Sequence, residues 1–257
     1  MAIDVSKAAG VGFITLARAP ANSYDLAFVE ELGAAVERCA EDEDVKVVVV
    51  RSGLERFFSA GADIKAFTAN TPDGNMEMVR ASHEALGSIA TVPKIFIAQI
   101  AGHALGGGLE IALACDLRFG AEGDYKLGVP ESTLGLLPGN GGTQRLPRLI
   151  GPSRAIDLMV TGRTLSPAEA FELGILDRLV PVERLEEETA AYCGALAGGA
   201  QRAIGSIKLA VHEGKEQSLE VGLRREQELI DQLFRTEDAK EGIAAFVEKR
   251  APQFTGS

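Results

Sequence analysis

The chain has 257 residues, enough for one large domain or for a core domain with a smaller appendage. Its hydrophobic fraction of 46% and charged fraction of 25% are typical of soluble globular proteins and argue against disorder. The 26 basic and 37 acidic residues give a net charge of -11, which works against nonspecific binding to nucleic-acid phosphates. An anionic small ligand would therefore need a local basic pocket.

The cysteines and the N-terminus bear on the compartment. Cys39, Cys115 and Cys193 match no metal-binding or redox spacing, so we interpret them as buried or partly buried thiols. The N-terminus lacks a basic segment followed by an apolar run and predicts neither a secretory signal nor a transit peptide. The most apolar stretch, residues 95–115, is interrupted by polar side chains and four glycines, unlike a membrane span. We expect a cytoplasmic protein.

The spacing of apolar residues predicts alternating strands and helices in the first part of the chain. In chain order we expect a strand at 12–16, a helix at 25–40 capped by Asp25, a strand buried on both faces at 45–51, a polar loop at 72–75, a helix ending near residue 90, a strand at 95–100 and a helix at 109–114. This order predicts an α/β core in which ligands bind where strands end and helices begin.

The C-terminal part has a different pattern. Residues 219–234 and 239–247 carry apolar residues at helical spacing among many charges, and we predict no strand in the last 59 residues. We therefore divide the chain into an α/β core that holds the site, residues 1–198, and a helical C-terminal segment, residues 199–257. Because such a segment buries little by itself, we expect it to pack on the core or on a neighbouring subunit.

Two glycine-rich turns indicate where a ligand would bind. The first spans residues 59–63, and the second is the run of three glycines at 106–108 that opens a predicted helix. Glycine lets a ligand approach the backbone closely, and the N–H groups at the start of a helix attract negative charge. Read alone, such turns equally permit tight packing of a strand on a helix.

Two glutamates lie close to these turns in the sequence. Glu110 is in the first turn of the helix that the second glycine run opens, and Glu131 follows Pro130 at a predicted strand-to-helix boundary. Together they could form an acid/base pair beside convergent backbone N–H donors, the parts needed to stabilise an enolate and move its protons. Singly, Glu110 could complement the helix dipole and Glu131 could be a solvated or capping residue. We interpret Asp63 and Asp116 as loop or helix-cap residues.

Other enzyme signatures are absent from the sequence. It contains no P-loop, no G-x-S-x-G nucleophile elbow, no H-E-x-x-H zinc pair and no G-x-G-x-x-G fingerprint. The three histidines, His83, His103 and His212, are too few and too scattered for a histidine-based metal site or triad, and we interpret them as packing or surface residues.

Several segments resemble the enoyl-CoA hydratase/isomerase (crotonase) superfamily, and the resemblance covers nearly the whole chain. Residues 58–65 resemble the family's first oxyanion-hole segment, and residues 100–110 resemble the second. Residues 128–131 and 137–146 resemble its acid/base segment and the following loop, and residues 245–250 resemble its C-terminal signature. The resemblance implies a spiral of strand-strand-helix units with a helical C-terminal part that builds trimers, commonly paired into hexamers.

The resemblance also implies which residues form the site. The N–H groups of Ala62 and Gly107 would bind a thioester carbonyl oxygen. Glu110 and Glu131 would flank the C2–C3 bond of the acyl group and position a water, with Glu131 exchanging the C2 proton. The resemblance implies that some substrate-binding residues line the CoA channel and that others offset the negative charge of the CoA phosphates. The implied residues are Ala60, Gly61, Ala62, Asp63, Ile64, Lys65, Gly106, Gly107, Gly108, Arg56 and Lys249.

Because both glutamates are present, the resemblance implies reversible syn hydration of a 2-trans-enoyl-CoA to a 3-hydroxyacyl-CoA, as in fatty acid β-oxidation. We expect no metal or redox cofactor, since CoA is part of the substrate. Asn22-Ser23-Tyr24-Asp25 replaces the family's more usual Asn-Ala-Leu, so an isomerase, or a dehydratase of an unusual acyl-CoA, is an alternative. An RNA- or partner-binding protein on the same fold is an alternative of another class, although the net charge disfavours RNA.

Overall fold

The computed structural model describes residues 2–215 and 217–256 and contains two sheets with helices around them. The strands are β1 (Ile3–Ala8), β2 (Val11–Leu16), β3 (Val47–Ser52), β4 (Phe57–Ser59), β5 (Ile95–Ile100), β6 (His103–Leu105), β7 (Leu117–Ala121), β8 (Leu127–Gly128) and β9 (Arg178–Val180). The α-helices are α1 (Leu26–Glu41), α2 (Ile64–Ala69), α3 (Pro72–Thr91), α4 (Gly107–Ala114), α5 (Gly142–Ile150), α6 (Pro152–Thr161), α7 (Pro167–Glu172), α8 (Leu185–Ala197), α9 (Gln201–Gly214), α10 (Leu219–Leu233) and α11 (Glu237–Glu248). Short 3-10 helices lie at Glu131–Leu134 and Val182–Arg184.

The strands are shared between two sheets in a repeating way. The larger sheet has the order β1-β2-β3-β5-β7-β9, and the smaller has the order β4-β6-β8. Strands β1 and β2 form an antiparallel hairpin, and the remaining strand pairs are parallel. The successive strand pairs β3-β4, β5-β6 and β7-β8 each give one strand to each sheet before the chain becomes helical. This is the predicted spiral of strand-strand-helix units, and the predicted fold class is confirmed.

The core packs around the larger sheet. The four valines of β3, Val47–Val50, are fully buried, as expected of a parallel strand covered on both faces. Asp25 caps α1 by accepting a hydrogen bond from the Phe28 N–H, which confirms the predicted start of this helix. Phe28 joins the core, whereas Leu26 is only half-buried. All three cysteines are buried free thiols, as predicted.

One loop prediction was wrong. Residues 72–75 form the first turn of α3, in which Pro72 is the first residue and Thr71 accepts a hydrogen bond from the Gly74 N–H. Proline suits this position because its missing N–H would have no helical partner there anyway. Pro-Asp-Gly-Asn is compatible with a turn and with a helix start, and the Thr71 cap decides between them.

The described residues beyond position 198 contain α9, α10 and α11 and no strand, as expected. Helix α9 is attached to the core through Asp116, which accepts the Phe96 N–H at 2.8 Å and lies 2.9 Å from Lys208 Nζ and 2.8 Å from His212 Nε2. Asp116 therefore has the predicted loop contact together with an ion pair that sequence reasoning missed. The boundary at residue 198 stays a prediction. No helix in the described part of the chain is long and apolar enough to cross a membrane.

Candidate active site

The first glycine turn follows β4 and touches the second one. Gly61 has a φ of +87°, a conformation that glycine adopts without strain. A Cβ on Gly61 would lie 2.8 Å from the Leu105 carbonyl oxygen and 3.2 Å from the Gly107 nitrogen, so the close approach of the two turns requires glycine here. Asp63 caps α2 by accepting hydrogen bonds from the Lys65 and Ala66 N–H groups, which confirms its predicted capping role.

The second glycine turn connects β6 to α4. Gly106 has a φ of +53°, and its N–H donates to the Gly128 carbonyl in β8 at 2.8 Å. A Cβ on Gly108 would lie only 2.2 Å from the Ser59 carbonyl oxygen at the end of β4. The sequence allowed two roles for these glycines, and the structure is consistent with both. They permit tight packing of a strand on a helix, and they expose backbone beside Glu110 and Glu131.

Two backbone donors face the space between the turns. Tyr24 pairs with the first turn by donating its N–H to the Gly61 carbonyl and accepting the Asp63 N–H. This pairing leaves the N–H of Ala62 pointing away from Tyr24. Gly107 is the first residue of α4, so no carbonyl of this helix precedes it to accept its N–H. Neither N–H donates to an acceptor within residues 2–215 and 217–256. Two such donors on touching turns, one at a helix N-terminus, form a candidate oxyanion hole.

Glu110 is held in place by the loop before α5. Its side chain is in the first turn of α4 and is 1% exposed. Oε1 accepts hydrogen bonds from the Asn140 N–H at 2.8 Å and the Gly142 N–H at 2.7 Å. Burial raises the pKa of Glu110, while these two N–H groups and the charge of Arg145 oppose the rise. The carboxylate is thus oriented by main-chain groups that favour its ionised form.

Glu131 has a different environment. It begins the 3-10 helix after β8, close to the predicted strand-to-helix boundary. A Cβ on Gly106 would lie 2.8 Å from Oε1 of Glu131, and Oε2 is buried without a hydrogen-bond partner in the described residues. Burial raises the pKa of Glu131 to about 7, and the negative charge of Glu110 adds to the rise. Near neutral pH this carboxyl group is therefore able to give up or take up a proton.

Tyr24 is a site residue whose position the sequence did not reveal. In the sequence, residues 22–25 stood out only because they replace the family's more usual Asn-Ala-Leu, which indicated a different side-chain composition near the acyl pocket. In the structure the Tyr24 phenol reaches the second glycine turn and accepts a hydrogen bond from the Asn140 side-chain amide. A Cβ on Gly107 would lie 1.8 Å from its hydroxyl oxygen, which places that oxygen directly over this glycine.

The predicted binding residues fall into two groups. The first group is in the two touching turns and consists of Ala60, Gly61, Ala62, Asp63, Gly106, Gly107 and Gly108. Ile64 and Lys65 are exposed at the start of α2, directly after the first turn. Arg56 lies with its guanidinium 5.6 Å from the centre of the Phe57 ring, beside the start of β4. Lys249 ends α11 with a φ of +55°, in the C-terminal segment. Roles of Arg56, Lys65 and Lys249 in binding phosphates stay predictions.

The histidines have structural contacts of the expected kind. His103 packs against the Phe57 ring and accepts the Lys126 N–H, and Nε2 of His83 lies 2.7 Å from the Gly139 carbonyl oxygen. His212 contacts Asp116. Among the residues that the structure describes, no group of three or more His, Cys, Asp or Glu side chains is arranged to hold a metal ion.

Comparison with known proteins identifies the family. The family model described as enoyl-CoA hydratase/isomerase matches residues 6–257, so the chain belongs to the enoyl-CoA hydratase/isomerase family. A probable enoyl-CoA hydratase of Bacillus subtilis (strain 168) is 39% identical over 249 residues, covering 96% of this chain and 95% of that protein. A probable enoyl-CoA hydratase of Rhizobium meliloti (strain 1021) is 41% identical over 246 residues, covering 95% and 94%.

Solved structures agree with this result. The crystal structure of an enoyl-CoA hydratase from Geobacillus kaustophilus HTA426 superposes with a TM-score of 0.98 at 47% identity, covering 100% of this chain and 97% of that one. The crystal structure of an enoyl-CoA hydratase from Bacillus anthracis gives a TM-score of 0.95 at 38% identity and covers both chains completely.

Proposed function

We propose that the protein is an enoyl-CoA hydratase, which reversibly adds water in syn geometry to a 2-trans-enoyl-CoA and forms a 3-hydroxyacyl-CoA. The observation that carries the proposal is the pair Glu110, which is buried, and Glu131, whose Oε2 is buried, beside two N–H donors that have no acceptor in the described residues. Membership of the enoyl-CoA hydratase/isomerase family supports an acyl-CoA substrate. The reaction needs no redox cofactor, because no electrons are gained or lost.

The oxyanion hole would act on the thioester. Hydrogen bonds from the N–H groups of Ala62 and Gly107 to the carbonyl oxygen draw electron density away from C3, which then accepts a water oxygen. The developing enolate places its negative charge on the same carbonyl oxygen. Fixed donors at that position stabilise the transition state more than the ground state, and one such donor typically contributes about 3 kcal/mol.

The two glutamates would divide the proton transfers. Ionised Glu110, oriented by the Asn140 and Gly142 N–H groups, takes one proton from water as the water oxygen bonds to C3. The C2–C3 π electrons move toward the thioester carbonyl, and Glu131, whose pKa of about 7 lets it carry a proton, gives that proton to C2. Return of one proton from Glu110 to Glu131 restores the starting state. The two glutamates of the active enzyme therefore hold one proton between them, both for hydration and for the reverse dehydration.

The C-terminal helices favour an oligomer as the working form. Residues on α9, α10 and α11 expose large apolar side chains, namely Ile207, Val211, Leu219, Leu223, Phe234, Ile243, Phe246 and Val247. Exposed apolar surface of this extent is typical of subunit interfaces. We propose a homotrimer, alone or paired into a hexamer, acting in cytoplasmic fatty acid metabolism. A light-scattering mass near the 27.1 kDa of one chain would contradict the oligomer.

An alternative reaction within the family is isomerisation or dehydration of an unusual acyl-CoA. The Tyr24 phenol favours this alternative because it adds a polar group beside the second glycine turn, where the family's more usual segment has an apolar side chain. Product analysis separates the two possibilities. The enzyme is incubated in D₂O with 2-trans-enoyl-CoAs of increasing chain length, and the products are analysed by mass spectrometry.

The hydratase gains one D₂O per molecule, with one deuterium bound to carbon at C2. An isomerase instead converts a 3-enoyl-CoA to a 2-enoyl-CoA without addition of water. Absence of hydrated product across the whole panel would contradict the proposed function.

A further inference from the structure

Tyr24 contacts both glycine turns of the candidate site. Its backbone pairs with the first glycine turn, donating to the Gly61 carbonyl at 3.0 Å and accepting the Asp63 N–H at 2.8 Å. Its hydroxyl oxygen lies over Gly107 in the second turn. The side chain is only 4% exposed and its ring packs near Phe28. The backbone of Tyr24 is therefore anchored to the first turn, and its buried ring carries the hydroxyl to the second.

The hydroxyl oxygen is also oriented by a second buried polar residue. The Asn140 side-chain amide donates to it, while the Asn140 main-chain N–H donates to Glu110 and the Asn140 carbonyl accepts from Arg145 at 2.9 Å. Phenylalanine would fill the same volume without the cost of burying a hydroxyl. Packing alone thus does not explain why the phenol oxygen and the Asn140 amide are buried together at this point.

The phenol keeps its proton in this environment. Burial raises the pKa of Tyr24 far above its ordinary value, and the negative charges of Glu110 and Glu131 raise it further. The hydroxyl oxygen accepts from Asn140, and its own proton has no acceptor within the part of the chain that the structure describes. A neutral O–H donor is therefore free beside the Gly107 turn.

We propose that Tyr24 is a further catalytic residue, whose hydroxyl donates a third hydrogen bond to the thioester oxygen beside the N–H groups of Ala62 and Gly107. The proposal rests on the function proposed above, because it takes the two turns as the thioester site. A donor with a rigid orientation in a site that excludes water stabilises a growing negative charge strongly. Asn140 is then a positioning residue, which holds the phenol oxygen so that its proton points toward the substrate.

The variant Tyr24→Phe tests the proposal, because it removes the hydroxyl and keeps the ring. We expect kcat for 2-enoyl-CoA hydration to fall about 100-fold, the lower end of the range for loss of an oxyanion donor, with KM changed less than about twofold. Acetoacetyl-CoA, which ionises readily to an enolate, should bind the variant about 10-fold or more weakly and with less enolate absorbance. Butyryl-CoA, which forms no stable enolate, should bind both proteins about equally.

Tyr192→Phe is the matched control, since Tyr192 is in α8, packs its ring on Phe119 of β7 and lies outside the two turns. It should leave all three measurements unchanged. Unchanged kcat and unchanged enolate affinity in Tyr24→Phe would overturn the proposal. An equal loss of butyryl-CoA and acetoacetyl-CoA affinity would also overturn it, because that result indicates a packing role.

The failure of the proposed function has a different signature. If the wild-type protein hydrates no enoyl-CoA but binds the enolate of acetoacetyl-CoA more tightly than Tyr24→Phe does, the proposed hydratase reaction is wrong and the proposed role of Tyr24 as a donor is retained. If the wild-type protein binds neither acetoacetyl-CoA nor butyryl-CoA, both proposals fall.

Discussion

At the scale of single residues, the two glutamates differ in how their charge is supported. Glu110 accepts two main-chain N–H groups, whereas Oε2 of Glu131 is buried with no partner in the described residues. Burial raises the pKa of both groups, but the two N–H groups oppose the rise at Glu110, so the ionised form is better supported there than at Glu131. This difference is what assigns the base role to Glu110 and the acid role to Glu131 in hydration.

The raised pKa of Glu131 has a consequence for stability. Its pKa is about 7 in the folded protein against an ordinary value of 4.5, so between these pH values the folded chain holds a proton that the unfolded chain has lost. Ionisation of Glu131 therefore reduces stability as pH rises from about 4.5 to about 7, and the loss persists above pH 7. Glu131→Gln removes this effect.

We expect the unfolding free energy of Glu131→Gln, relative to wild type, to be higher at pH 8 than at pH 4.5 by about 1 kcal/mol, after allowance for the partial exposure of the group. Chemical denaturation of both proteins at the two pH values measures the difference. A difference that is the same at both pH values would show that Glu131 has an ordinary pKa.

At the scale of elements, the contact between β4 and the start of α4 brings the two turns together. Gly108 is packed on the Ser59 carbonyl, so Gly108→Ala forces these elements apart. We expect a loss of about 3 kcal/mol or more in unfolding free energy, together with loss of activity. Gly87→Ala in α3 is the matched control, because a Cβ there meets nothing within 4 Å.

The control variant should be stabilised by about 0.5–1 kcal/mol, since alanine is the better helix former. Thermal unfolding of both variants provides the measurement. Equal stability of the two alanine variants would contradict the close packing at Gly108.

The long elements were predictable from sequence because their signals are local. The valine run of β3, the apolar run of β5 and the Asp25 cap of α1 each identify their element directly. Strands β4, β6 and β8 have only two or three residues, too few to show a period. The sequence did not predict β4 or β6, and it indicated β8 only through the strand-to-helix boundary before Glu131.

The site was predictable in part. Glu110 and the glycine turns were found from their spacing and from the family resemblance. The contact between Tyr24 and Asn140 joins residues 116 positions apart, and Glu110 meets Asn140 from 30 positions away. No local pattern encodes such contacts, because they arise only when the spiral closes.

At the scale of the whole molecule, the half-buried carboxylate of Asp116 joins α9 of the C-terminal segment to the core. Lys208 in α9 is buried against it, and burial lowers the pKa of this lysine while Asp116 opposes the change. Asp116→Ala leaves a buried ammonium without its charged partner. We expect a loss of about 3–5 kcal/mol in unfolding free energy.

Asp44→Ala is the matched control for Asp116→Ala, because Asp44 pairs with Lys7 at the surface with its side chain 82% exposed. It should change stability by less than about 1 kcal/mol. Denaturant titration compares the two variants. An Asp116→Ala protein as stable as the Asp44→Ala protein would show that the ion pair with Asp116 does not stabilise the attachment of α9.

The proposed hydration is tested most directly by the rate at which the protein removes the conjugated-thioester absorbance of crotonyl-CoA, and of longer 2-enoyl-CoAs, with and without the Glu131 carboxyl group. We predict rapid loss of absorbance with the wild-type protein and a rate lower by about 10²- to 10⁴-fold in Glu131→Gln, with the variant still folded. A wild-type protein inactive on all these substrates, or a Glu131→Gln protein as fast as wild type, would contradict the proposed hydration.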